Sequence, residues 1–196
     1  MPGTYKVSMS KFEDGVYTEL VAPTAFKTVA LNNASLPLGD RKQLDQFSRK
    51  AAELRRATSA ASSYYSQLVN KLRYIKPVLI ETAGIPPATT KEVYDIEKRL
   101  NSVSIQLNGD ATLSRREFET LPSINERIQT ITGALWRTTA AAPNAFIQSY
   151  ELAAKQFEPV LNELKSIGDA ISKLEAELEK QGAPYTPGRV PAWKKN

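Results

Sequence analysis

The residues best suited to chemistry gather in the second half of the chain. Asp110, Arg115, Arg116, Glu117 and Glu119 crowd one polar stretch, and Trp136, Tyr185 and Trp193 offer aromatic faces further on. The charged stretch has two readings. In the first, Asp110 or Thr112 caps a turn while Arg115 or Arg116 clamps a helix C-terminus or a carboxylate with paired N–H donors. In the second, the same groups meet an anion or a glycan from outside. The first is preferred. The three aromatics are candidate sugar-stacking platforms, but Trp136 closes an apolar stripe and is expected to be buried, and Trp193 is expected to dock a proline-rich tail on the helices or on a further domain. The sequence contains no histidine and no cysteine, which excludes thiolate zinc sites, disulfides, cysteine nucleophiles and imidazole acid–base chemistry. A carboxylate site for calcium or glycoside hydrolysis remains open. The acidic pairs of the last helix, however, have surface helix spacing and make no hydrolytic dyad. No catalytic residue, cofactor or metal site is therefore expected in this chain.

The net charge is +5 with an isoelectric point near 9.3, which points weakly to anionic partners. Lys42, Arg49 and Arg56 share one helix face and are spaced to follow a phosphate backbone. Asp45 and Glu53 interrupt that face and no aromatic is interleaved for base stacking, so nucleic-acid binding is disfavoured. No apolar run is long enough to span a membrane, and the opening MPGTYKVSMS lacks the apolar segment of a signal peptide. Its abrupt entry into strand-like sequence suggests a piece cut from a larger protein.

These residues depend on a scaffold organised around residues 143–181. Phe146, Tyr150, Ala153, Phe157, Val160, Leu164, Ile167, Ile171, Leu174 and Leu178 recur at steps of four and three, a seam that must be covered. A helix of that span is about 58 Å long at about 1.5 Å per residue. Residues 40–79 repeat the pattern through Leu44, Phe47, Ala51, Leu54, Thr58, Ala61, Tyr65, Leu68, Leu72, Ile75 and Leu79, with Asp40 as the expected N-cap. Tyr64 is expected at the edge of this seam, and Pro77 and Pro159 are expected to bend their helices. Between the long helices lie two shorter ones. The first spans residues 90–107, with Thr89 and Glu92 as a capping box and Val93, Ile96, Leu100, Val103 and Leu107 inward. The second spans residues 124–135, capped by Ser123 and Glu126, with Ile124, Ile128, Ile131 and Leu135 inward. Upstream, residues 4–21 read as a β-hairpin turning at Glu13-Asp14-Gly15, and residues 26–31 as a third short strand. An isolated hairpin is marginal in water, so it must pack on the helices or belong to a larger sheet. Residues 183–196 read as an extended tail.

Long-short-short-long helices with short connections predict a mainly α fold, an antiparallel up-down four-helix bundle at residues 40–182, preceded at residues 1–31 by a short β-hairpin. Charge suggests how the long helices pair. Residues 40–80 carry nine Lys or Arg against three Asp or Glu, a net of +6, and residues 143–181 carry four against seven, a net of −3. Antiparallel packing would set Arg41, Lys42, Arg49, Lys50, Arg55 and Arg56 beside Glu175, Glu177 and Glu179.

Three stretches together resemble the C-terminal region of large bacterial sortilin-like proteins with BNR (Asp-box) repeats, often labelled glycosyl hydrolase-like. They are residues 2–7 (PGTYKV), the loop 107–117 (LNGDATLSRRE) with 122–128 (PSINERI), and the tail 182–193 (GAPYTPGRVPAW). The resemblance covers nearly the whole chain and implies an upstream β-propeller, then a β-sandwich whose terminal strands are residues 1–31, and export to the periplasm or beyond. No Asp-box repeat stands in this sequence, so no catalytic residue is carried over. Glu119-Thr120-Leu121 replaces a second proline common in the family. The expected function is a non-catalytic helical scaffold or interaction module, with the upstream propeller and sandwich, or a second copy, as partners. The alternatives are an accessory part of a carbohydrate-active enzyme whose catalytic residues lie upstream, and a stand-alone helical adaptor or weak nucleic-acid binder.

Overall fold

The computed structural model describes residues 2–29, 38–137, 140–189 and 193. An antiparallel hairpin, β1 (Gly3–Glu13) and β2 (Val16–Thr28), precedes five helices: α1 (Leu38–Glu81), α2 (Pro87–Asn108), α3 (Ala111–Ser114), α4 (Ile124–Leu135) and α5 (Asn144–Lys180). The chain is thus mainly helical with a short N-terminal two-stranded sheet. Glu13 pairs with Val16 across a two-residue turn in which Asp14 and Gly15 both take positive φ, 50° and 81°, the turn that matches strand twist. The expected third strand does not form separately. Residues 26–28 continue β2 past irregularities in register between Val7 and Ser10, where Pro23 is tolerated because the ladder is already interrupted. Residues 30–31 of that expectation, the connector at 32–37, and Pro191 lie outside the described residues.

The helical seams are buried much as their periodicity requires. Leu164, Ile167 and Ile171 on α5, Ile75 on α1, Leu107 on α2 and Ile128 on α4 are fully enclosed. Thr58 interrupts the α1 seam without leaving an unmet donor, because its hydroxyl donates to the Arg55 carbonyl at 3.1 Å. Both α1 and α5 run on through Pro77 and Pro159.

The pairing of the long helices differs from the expected one. Phe47 meets Tyr150 near both starts (ring centroids 5.7 Å apart), Tyr64 lies against Gly168 midway, and Lys71 Nζ reaches Glu175 at 3.0 Å further on. The partner number rises with the α1 number, so α1 and α5 are parallel. The basic start of α1 consequently lies beside the start of α5, not beside Glu175, Glu177 and Glu179. Two of its arginines pair within the helix itself: Asp45 binds Arg49 and Glu53 binds Arg56. Exposed ion pairs contribute less than about 1 kcal/mol each and are outweighed by burial of the apolar seams.

The short helices run the other way. Lys76 meets Glu97, Ser62 accepts from Asn125, and Arg55 donates to Thr132, so the partner number rises as the α1 number falls. The end of α2 abuts the start of α4, where Asn125 Nδ2 donates to Asn108 Oδ1 at 2.9 Å. Neither α2 (22 residues) nor α4 (12 residues) matches the 37 residues of α5, but end to end they do. They form one descending column between two ascending helices, interrupted by an exposed excursion at residues 110–122 that carries α3. The bundle therefore has three columns in section.

The helix ends explain the boundaries. Ser123 and Glu126 make the expected capping box, with Ser123 N–H donating to Glu126 Oε2 at 2.7 Å. The box expected at Thr89 does not form, because α2 begins earlier at Pro87, where a proline needs no hydrogen-bond acceptor. Likewise Asp40 falls inside the first turn of α1. At the far end of α5, Gly182 (φ 71°) donates to the Glu179 carbonyl and Ala183 to the Leu178 carbonyl, a Schellman ending that turns the tail back onto the bundle.

Candidate functional site

The loop cluster serves the fold in part. Asp110 Oδ1 accepts from Thr112 N–H at 2.8 Å and Leu113 N–H at 3.4 Å, capping α3, and these bonds hold its carboxyl below the usual aspartate range, the Thr112 backbone bond contributing most. Arg115 and Arg116 are exposed and clamp no carboxylate among the described residues. Glu117 takes φ 58° where the chain reverses after α3.

The tail is anchored more firmly than an extended segment. Thr186 is buried and donates to Glu175 Oε1 at 3.2 Å, while Tyr185 donates to Glu179 Oε1 at 3.3 Å. Arg189 pairs with Glu179 Oε2 and stacks over the Tyr185 ring, 5.4 Å from its centroid. Glu175, only 5% exposed, thereby joins Lys71 of α1 to the tail. Its spacing predicts a surface position, whereas it flanks the inward stripe beside Leu174 and is covered by the tail. Trp193 is 82% exposed and so is not docked on the bundle.

Trp136 is the larger departure. Far from buried, it is 90% exposed. The helix ends at Leu135, the last residue of the stripe, and one further residue turns about 100° around the axis and away from the core. Trp136 instead stands at the rim of a groove between α1 and α4, about 680 Å³ in volume, whose lining includes Ala52, Gly133 and Leu135 together with Arg55, Arg56 and Arg137. The structure brings none of Asp110, Arg115, Arg116, Tyr185 or Trp193 to this groove. Arg55, Arg56 and Arg137 were not singled out as a group by the sequence, because they lie on two helices that meet only in the fold.

The hairpin offers a second surface. Residues paired across the ladder share a face, so Tyr5 and Phe26, Val7 and Thr24, and Met9 and Val21 lie together, with Tyr5 and Phe26 stacked at 5.9 Å. All the large apolar side chains of both strands are exposed, including Val7 at 58% and Met9 at 59%. Elsewhere, Arg99 bridges α2 to Glu163 of α5 at 2.6 Å, a bond that draws the Glu163 carboxyl down against a smaller opposing effect of burial.

Among the described residues no helix is long and apolar enough to cross a membrane, and no group of three or more Asp or Glu is placed to hold a metal ion. Comparison with known proteins adds no relative: no family model, no curated protein and no solved structure matches the chain.

Proposed function

We propose that this chain is a non-catalytic helical scaffold and interaction module, joined through its hairpin to the sheet of a neighbouring domain in a larger exported protein. The observation that carries this reading is the hairpin. It presents Val7, Met9, Val21 and Phe26 on one exposed face, whereas the helices bury most of their inward stripes against one another. Two strands alone are marginal in water, and an apolar face of this kind gains its stability from a third strand or a covering layer. A β-sandwich following a β-propeller, as the resemblance implies, is the neighbour of suitable chemistry.

The test begins with the complete gene product. If strands precede residue 1, Val7→Lys with Phe26→Lys should detach the bundle from its neighbour in limited proteolysis while leaving the helical melting transition in place. A gene product without such strands, or a doubly substituted protein that stays docked, would contradict the reading and leave the stand-alone adaptor as its successor.

A further inference from the structure

We infer that the groove between α1 and α4 binds a small organic anion whose ring has an apolar face, the ring lying on Trp136 and the anionic group held by Arg55 and Arg137. The inference does not depend on the hairpin or on any neighbouring domain. Charge gives the sign of the ligand. Among the described residues three arginines line the groove and no Asp or Glu does. Arg56 is occupied, its guanidinium donating twice to Glu53 at 3.0 and 2.5 Å. Arg55 donates to Thr132 Oγ1 at 3.3 Å, a long bond to a neutral group, and among the described residues neither Arg55 nor Arg137 forms an ion pair. A planar guanidinium matched to a carboxylate, sulfate or phosphate forms shorter and stronger bonds than that.

Shape gives the rest. Ala52, Gly133 and Leu135 present little polar surface, and the Trp136 indole is open to solvent over almost its whole area. A ligand with an apolar ring face covers that indole; an inorganic anion leaves it wet. A volume of about 680 Å³ is that of a small-molecule site. A carboxylated sugar and an aryl carboxylate both have this chemistry.

The chain contains two tryptophans, so Trp193→Phe leaves Trp136 as the sole indole and its fluorescence as a direct reporter. The probes are a uronic-acid disaccharide, an aryl carboxylate and the neutral disaccharide of the same ring. Saturable quenching by one or both anions, absent with the neutral sugar and weakened about tenfold by Arg137→Ala, is the expected result. Which anion binds more tightly separates the sugar from the aryl source. Arg55→Ala should weaken binding similarly, and Arg137→Ala, at an exposed helix end, should keep the melting temperature and so separate lost binding from lost folding. No quenching by either anion up to about 10 mM, equal binding of the neutral sugar, or unchanged affinity in a folded Arg137→Ala protein would each overturn the assignment.

Discussion

The hairpin and the helical bundle are built on the same device, an apolar face repeated at the period of its secondary structure, yet they end in opposite states. Along α5 the seam meets two other columns, and Leu164 and Ile167 have no exposed surface. Along β1 Tyr5, Val7 and Met9 alternate at the strand period, but Val7 and Met9 stay more than half exposed. Patterning states that a face must be covered; it does not state by what. The bundle's cover lies within the chain, and on the proposed reading the hairpin's lies outside it.

The contrast can be broken most forcefully in the core. Leu164→Ala should cost about 2–5 kcal/mol in chemical denaturation of the helical signal, whereas Val7→Ala should change it by less than about 0.5 kcal/mol. A comparable loss from both would mean that the hairpin belongs to the bundle's cooperative unit. A step below this stands Glu175→Ala, which removes the carboxylate shared by Lys71 and Thr186. About 1–3 kcal/mol should be lost, together with faster proteolysis of the tail after Gly182. Loss of stability with an unchanged tail would show that Thr186 is held by its packing alone.

Gly168 sharpens the packing half of the comparison. A Cβ there would overlap the Tyr64 hydroxyl and stand 3.2 Å from its ring carbon. Gly168→Ala should destabilise by about 1 kcal/mol, the overlap exceeding the gain in helix propensity, and Tyr64→Ala in the same chain should reverse the sign. An antiparallel arrangement of α1 and α5 would leave these two positions uncoupled in the double-mutant cycle. The smallest effect is electrostatic. Because Arg99 lowers the Glu163 pKa in the folded state, the pair contributes stability above the unfolded value near 4.5, and that contribution is lost as pH falls through the depressed folded value. Glu163→Gln should flatten the acid limb of the stability profile by less than about 1 kcal/mol, since both side chains are partly exposed. An acid limb unchanged by the substitution would show that the pair adds nothing across the α2–α5 contact.

Much of this was legible in the sequence, and what was not has particular causes. The seams of all four longer helices and the Ser123 box were readable because they depend on local periodicity and on residues three apart. The direction of α1 against α5 was not. It is set by α2 and α4 stacking end to end, which no spacing within either helix reports, and the charge asymmetry pointed to a pairing that weak surface attraction could not impose. Trp136 was misread because the stripe it follows ends one residue earlier, where 100° of rotation separates core from solvent. The groove was invisible for a related reason: Arg55 and Arg137 are 82 positions apart and share a site only once α4 descends along α1.

Amide hydrogen exchange on the intact chain tests the division between hairpin and bundle most directly. Amides of β1 and β2 should exchange orders of magnitude faster than those around Leu164, Ile171, Ile75 and Leu107, which should open only with global unfolding. Hairpin amides as slow as the helical core in the isolated chain would contradict the account, because the apolar face would then already have found its cover.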